Sequence, residues 1–430
     1  MRDSNIIVGA DIGTSKIATV IAQVQEEGIN ILGVSEVASR GIRKGQIVDI
    51  EEASSALNAS LNTAERMAGY SIDKVFCSIS GLNIESQNSK GVVAVSQPEG
   101  EIIYQDVDRV LEAASAISLP STKSILHVVP RTFTVDGEPG IKDPVGMNGV
   151  RLEVDTHIIT ANSTTIKNIQ KVLEAEAGVE LRALVFSGYA SSQAVLTDTE
   201  KELGVILVDI GAGVTNIAIF VEGALSYSSV IPIGAKHITN DIAIGLRVSL
   251  ESAEKIKLFL SKKQNRKSKY DKDEDTSEIE SDDVDLGSLR LIEEVRKVSK
   301  KTLVEGIIRP RLNEIFTMVL IELKKSGFLT QTPAGVVITG GGAKTVGAVD
   351  AAKRMLSMPV RIGMPYGMTG LIDEVEDPSF STVCGLVMFG KNYKASEPLG
   401  IMPSFIPSLN LKFLSSVTNR LKKILKSFLP

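Results

Sequence analysis

Residues 6–24 read IIVGADIGTSKIATVIAQV, and residues 204–220 read GVILVDIGAGVTNIAIF. Each stretch runs a short β-branched strand into Asp-Ile-Gly, turns through small residues and enters a second apolar strand. The two aspartates, Asp11 and Asp209, lie 198 positions apart (209 minus 11). Solenoid units recur every 20 to 50 residues or so, so this spacing predicts two related lobes instead. Each lobe is expected to hold a strand-rich sheet backed by helices, an α/β class.

At roughly 150 residues per domain, a chain of 430 residues has room for two or three. With 43% hydrophobic and 23% charged residues, and a mean hydropathy of +0.13, it is a folding composition, neither disordered nor collagenous. Its 47 basic and 52 acidic residues leave a formal charge of -5, which argues against a general nucleic-acid binder. Cys77 and Cys384 are too few for a disulfide framework and read as small buried hydrophobes in a reducing compartment. No apolar run reaches the roughly 18 residues of a membrane span. The opening MRDSNIIVGADIG has no basic region, long apolar stretch or cleavage site, so no secretory signal is expected.

Between the hairpins, residues 84–162 form a separate small unit, with strand-like GVVAV, ILHVV, RTFTV and LEVDTHIIT around one helical stretch, VDRVLEAASAI. The segment ITNDIAIGLRVSLESAEKIKLFL reads as two short helices. Residues 261–288 carry six basic and nine acidic residues and few apolar ones, which predicts a loop. Leu312, Ile315, Phe316, Val319 and Leu323 then recur at helical spacing between Pro310 and Gly327. GVVITGGGAKTVGAVDAAKRML reads as strand, glycine turn and helix, and a Pro- and Ser-bearing linker covers 391–410.

Glycines in the two Asp-Ile-Gly turns let the backbone approach an anion and aim N–H groups at it. Thr14 and Ser15 add hydroxyls there and Lys16 adds charge. Asp11 and Asp209 each end an otherwise apolar strand, where an unpaired carboxylate is costly. A hydrated Mg2+ between them and a phosphate relieves that cost. Gly340, Gly341 and Gly342 form a third anion-seeking turn. Glu254 and Lys257, three apart on one helix face, can exchange hydrogen bonds with a ribose or an adenine edge. Taken alone, each feature reads more readily as an ordinary hairpin, a common glycine turn or a surface ion pair. His127, His157 and His237 show no metal-ligand spacing and read as structural.

Taken in order, the four elements resemble the actin-like ATPase superfamily, whose members enclose ATP between two lobes. The resemblance narrows to the FtsA family of bacterial cell-division proteins. It is carried by NSKGVVAV, ILHVVPRTFTVDGEPGIKDPVGMNGVRLEVDTHIITA, KHITNDIAIGLRVSLESAEKIK, RPRLNEIF and VVITGGGA. It implies an actin-like two-lobed fold with an inserted FtsA-type subdomain and a C-terminal amphipathic helix. Residues 1–83 and 163–196 would be the first lobe's core, 84–162 the insert, 197–245 and 330–390 the second lobe's core, and 246–329 its outer subdomain. It also implies an ATP site made by Gly13, Thr14, Ser15, Lys16, Gly211, Ala212, Gly213, Val214, Thr215, Asn216, Gly234, Glu254, Lys257, Gly340, Gly341, Gly342 and Ala343. Mg2+ would be held through water by Asp11 and Asp209, which are also the candidates for any catalytic role. FtsA-like second turns commonly read Gly-Gly-Gly-Thr-Thr-Asp. Here Val214 removes a hydroxyl and Asn216 replaces a carboxylate, so ATP binding with weak or no hydrolysis, and a mainly structural role, is expected.

The last segment, 411–430, places Leu411, Leu414, Val417, Leu421, Ile424, Leu425 and Phe428 at helical intervals beside Phe413, with Lys412, Arg420, Lys422, Lys423 and Lys426 and no acid. An apolar stripe with a basic face predicts an amphipathic helix lying on an anionic membrane surface. The resemblance implies the same anchor on the cytoplasmic face of the cell membrane at the division site. It further implies self-association into filaments, and docking of the C-terminal peptide of FtsZ on 246–329, where Lys297, Lys300, Lys301, Arg309 and Arg311 are cationic candidates. A pilus-assembly scaffold like PilM and an actin-fold small-molecule kinase are the alternatives. The amphipathic tail speaks against the first, and the lack of a catalytic carboxylate facing a small-substrate cleft speaks against the second.

Overall fold

The computed structural model describes residues 5–26, 28–96, 100–270 and 282–393. The first hairpin forms strands Ile6–Ile12 and Lys16–Gln25, paired antiparallel with Asp11 opposite Ala18. They sit in a six-stranded sheet ordered Glu180–Phe186, Lys74–Ile79, Ile6–Ile12, Lys16–Gln25, Gly28–Ala38 and Met368–Gly370. The second hairpin forms Val205–Ile210 and Thr215–Val221 in a five-stranded sheet ordered Ala224–Ile231, Thr215–Val221, Val205–Ile210, Val336–Thr339 and Val360–Ile362. In both sheets three antiparallel strands are extended by two parallel ones on the side of the Asp-bearing strand. The repeat read from the two hairpins is thus a duplication of a five-strand unit, to which the first sheet adds Met368–Gly370. Every residue of Val205–Ile210 and Thr215–Val221 is buried, which is why these strands read as unbroken apolar runs rather than alternating ones.

Within the first lobe's sequence lies a four-stranded antiparallel sheet, ordered Glu85–Ala94, Arg151–Asn162, Lys123–Val135 and Glu138–Ile141. The stretches ILHVV and RTFTV are one strand, not two. Pro130 fits inside it because the register slips there, pairing Thr132 with Asp155 and Pro130 with Thr156 and leaving Arg131 as the extra residue. Helix Tyr104–Ser115 covers this sheet and lies so close that a side chain at Gly91 would run into Val110 O and Ala114 N. The insert has a core of its own, in which Ile102, Val110, Phe133, Leu152 and Ile158 meet.

Helix Arg309–Ser326 matches its sequence pattern. Pro310 stands in its first turn, Gly327 ends it at φ 75°, and Leu312, Ile315, Phe316, Val319 and Leu323 are all fully buried. Burying each of the five contributes about 1.5–3 kcal/mol.

Two expectations from the sequence are corrected. Residues 261–270 are not loop: they continue helix Leu250–Tyr270. Strand Asp283–Asp285 then pairs with Lys297–Ser299, within the stretch also read as loop. Averaged charge hid the anchors, since Val284 and Leu286 are buried in the second-lobe core. Residues 271–281 lie outside the described residues. The chain also returns to the first lobe earlier than 390. Met368–Gly370 pairs with Gly28–Ala38, and helix Ser381–Asn392 packs on the Gly9 strand, where Val383 O and Leu386 Cβ leave room only for a glycine. The reason is closure of the first-lobe sheet, whose edge strand and one covering helix come from residues 368–392. The linker from 394 onward and the amphipathic tail 411–430 fall outside the described residues.

Candidate functional site

Asp11 and Asp209 each stand one residue before the end of the first strand of their hairpin, and the two turns meet. A Cβ on Gly213 would stand 2.7 Å from Thr14 Oγ1, so the second turn rests against the first. Strand register sets Asn216 opposite Asp209, and its Nδ2 donates to Asp209 Oδ2 at 3.2 Å. The same oxygen accepts from Ser191 Oγ at 3.1 Å and from Thr382 Oγ1 at 3.5 Å. Asp11 Oδ1 accepts from Ser78 Oγ at 2.6 Å. Burial, and then the charge of Asp11, push the Asp209 carboxyl up to about 6 against the pull of those three donors. Burial likewise raises Asp11, against Ser78 and Lys16. The pair is therefore under-neutralised, a donor set suited to a proton or a hydrated cation. Among the described residues no cluster of three or more metal-ligating side chains occurs, so any cation here depends on oxygens from elsewhere.

The remaining turn residues are largely committed inside the protein. Gly13 N–H and Gly211 N–H close their hairpins on Lys16 O and Val214 O, each at 3.0 Å. Thr14 Oγ1 accepts from Gly45 N at 3.0 Å, while Ser15 is exposed. Lys16 Nζ donates to Glu36 at 2.7 Å and to Ser379 at 3.1 Å and lies 3.8 Å above the Phe380 ring. Gly211 O and Ala212 O each accept at 2.9 Å from the first N–H groups of helix Ala235–Leu246, and only a glycine at 234 leaves them room. Val214 and Thr215 face inward, Thr215 Oγ1 donating to Ile233 O at 2.8 Å. Gly340, at φ 80°, sits against Asp209 Oδ1, and Gly342 against Ile210. The helix expected directly after these glycines begins only at Ala348. Gly341–Lys344, with Ala343 buried in it, is a single tight 3-10 turn.

Residues 206–385 match the family model described as "Cell division protein FtsA", and residues 81–160 match "SHS2 domain inserted in FTSA". The chain is 39% identical over 391 residues to the cell division protein FtsA of Pseudomonas aeruginosa, covering 91% of this chain and 90% of that one. The chain belongs to the FtsA family. The FtsA proteins of Escherichia coli K12 (36% identical, 90% of this chain and 91% of that one) and Bacillus subtilis (38%, 90% and 84%) agree. Among solved structures, the PilM-PilN type IV pilus biogenesis complex superposes with a TM-score of 0.62 at 16% identity, over 89% of this chain and 98% of that one. MreB5 of Spiroplasma citri bound to ADP gives 0.52 at 14%, over 90% and 97%. These likenesses establish the fold, which is the two-lobed actin-like one with the FtsA insert.

Glu254 and Lys257 do come to the neighbourhood of the second turn, but Lys257 is buried. Its ammonium donates to Glu254 Oε2 at 2.8 Å, Thr239 Oγ1 at 2.9 Å and Ala235 O at 3.5 Å, which accounts for all three protons. It ties two helices together, and Glu254, partly exposed, is the member still able to face outward. His237 caps helix Ala235–Leu246 at Gly234, and burial pushes His127 and His157 down to about 3, keeping both neutral. On the outer subdomain Arg311 is paired with Asp241 and Glu314 and Arg309 with Glu305, whereas Lys297, Lys300 and Lys301 are exposed. Sequence reasoning missed Ser78, Ser191 and Thr382, and also Ser80, whose Oγ donates to Asn216 Oδ1 at 2.5 Å. The available signal was a run of hydroxyls, Ser78 and Ser80, closing the apolar strand KVFCSI.

Proposed function

We propose that this family member binds ATP between its two lobes and serves as a structural adaptor in cell division. On this reading it self-associates into filaments, holds FtsZ through that protein's C-terminal peptide on residues 246–329, and attaches to the cytoplasmic membrane face through 411–430. The observation that carries the nucleotide part is the pair of touching turns beneath Asp11 and Asp209. The ADP bound to the MreB relative, on the same fold, supports it. Mg2+ fits the residues present, with Asp11 and Asp209 as its water-mediated holders, and it would neutralise the phosphate charge there. Gly213 lets the second turn rest on Thr14, and Gly340 and Gly342 let the third close on Asp209 and Ile210, while Asn216, bonded to both Asp209 and Ser80, is poorly placed to activate a water. Binding rather than turnover is then the output. Because 16% identity to the PilM structure carries fold alone, family membership displaces the pilus-scaffold alternative.

The tail reading draws support from charge: 411–430 carries five cations and no acid, so the other 410 residues carry -10 (-5 minus +5). An acidic body is repelled by an anionic bilayer that attracts the tail. No helix among the described residues is long and apolar enough to cross a membrane. Fluorescent ATP titrated against the full chain, and co-sedimentation with anionic vesicles before and after deletion of 411–430, test the two parts separately. Saturable Mg-dependent binding and tail-dependent sedimentation are expected. Absence of either would refute the corresponding part.

A further inference from the structure

The insert leaves the first lobe covalently, yet its side chains bond to the second. Strand Ala224–Ile231 is the edge of the second-lobe sheet; its open edge and the Ser226 and Ser228 side chains meet the insert, and its other face meets the outer subdomain. Along its unpaired edge, Ser86 Oγ donates to Ser228 O at 2.7 Å and accepts from Ser228 N at 3.2 Å. Asn88 Nδ2 donates to Ser226 O at 3.3 Å, and Arg131, the residue expelled by the bulge, donates through Nε to Ser226 Oγ at 3.0 Å. Buried His157 bridges Asn88 Oδ1 at 2.7 Å and Ser228 Oγ at 3.0 Å. Its neutral ring supplies one donor to the amide oxygen and one acceptor to the hydroxyl. On the other face, Tyr227 OH and Ser229 Oγ both donate to Glu322 Oε2 on helix Arg309–Ser326, at 2.9 and 3.0 Å.

This seam is polar, not packed. The insert's core cluster of buried residues runs from Ile102 to Ile158 and includes no second-lobe residue. A cavity of about 420 Å³, lined by Arg131, Phe133, Lys142, Tyr189, Glu202 and Phe220, opens beside it. A directional hydrogen-bond set with little apolar burial holds one arrangement or releases it, which is the behaviour a coupling element needs.

We propose that strand Ala224–Ile231 is a relay that couples the inserted subdomain to helix Arg309–Ser326 of the outer second lobe, through Ser226 and Ser228 on one face and Tyr227 and Ser229 on the other. Displacing the helix then loosens the insert, and the reverse. Neither the nucleotide nor the partner reading enters this inference.

The test is hydrogen–deuterium exchange on the full chain. Glu322→Ala removes the shared acceptor without touching the insert. Exchange at the amides of Glu85–Ala94 and Arg151–Asn162 should rise about fivefold, the equivalent of one net hydrogen bond of about 1 kcal/mol. Lys324→Ala, exposed on the same helix, should leave those amides unchanged. Should Glu322→Ala fail to fold, Tyr227→Phe with Ser229→Ala removes the same two bonds from the strand side and is read in the same way. Changes confined to the second lobe, or equal changes in the Lys324→Ala control, would overturn the relay.

Discussion

Replacing Asp209 by Asn should make the nucleotide-free protein more stable, against the usual direction for a buried site. The carboxyl is 4% exposed and pushed from 3.8 to about 6. The unfolded chain loses this proton near 3.8 and the folded chain near 6, so between those values the folded state holds more protons and stability falls as pH rises. A shift of that size costs about 3 kcal/mol once both states are ionised, and roughly half of that at pH 5. The amide keeps the contacts to Asn216, Ser191 and Thr382 but as neutral hydrogen bonds, returning about 1 kcal/mol of the gain. The expected net gain is about 2 kcal/mol near pH 8 and about 0.5 kcal/mol near pH 5. With no Trp in the chain, far-UV circular dichroism during urea unfolding is the suitable readout. A variant less stable than wild type at both pH values, or a gap that does not widen with pH, would refute the claim that the carboxylate is under-neutralised. The same variant should bind Mg-ATP more weakly, which separates a strained binding group from a merely structural one.

Three further outcomes follow from the geometry. Gly213→Val drives a side chain into Thr14 and should open the lobes, seen as a larger radius of gyration in small-angle scattering and loss of nucleotide affinity; unchanged scattering would contradict the turn contact. Gly91→Val should lift helix Tyr104–Ser115 off the insert and expose that subdomain alone to protease, while the second lobe stays resistant. Asn216→Asp keeps the acceptor for Ser80 Oγ, 2.5 Å away, but loses the donor to Asp209 and adds a carboxylate beside it. It should destabilise the nucleotide-free protein by roughly 1–3 kcal/mol near neutral pH and less in acid, as measured by the same urea series.

Much of this protein is legible from local pattern, because hydrophobic period and turn chemistry act over a few residues. The Asp-Ile-Gly hairpins identify the two central sheets. The spacing of Leu312, Ile315, Phe316, Val319 and Leu323 specifies a helix and its buried face, and the Gly and Pro at its ends set its limits. The same locality misled where composition stood in for contacts. Charge density over 261–288 concealed Val284 and Leu286, two buried residues that are enough to seat a strand.

The candidate site divides in the same way. That Asp11 and Asp209 end apolar strands, and that glycines follow them, is written in consecutive residues. What each aspartate touches is not: Ser78 is 67 positions from Asp11, and Thr382 is 173 from Asp209. Ser78 arrives because its strand pairs in parallel with Ile6–Ile12, and Thr382 because helix Ser381–Asn392 returns to the first lobe and lies beside Ser191. Lys257 shows the converse, since its helical spacing from Glu254 was plain while its burial against Ala235 and Thr239 was set by how two helices pack. The duplicated sheets, the insert and the residue types at the turns are encoded locally, by short-range sterics and burial periodicity. Tertiary structure alone decided how far each charge is neutralised, because that depends on groups brought together by the chain's long-range path.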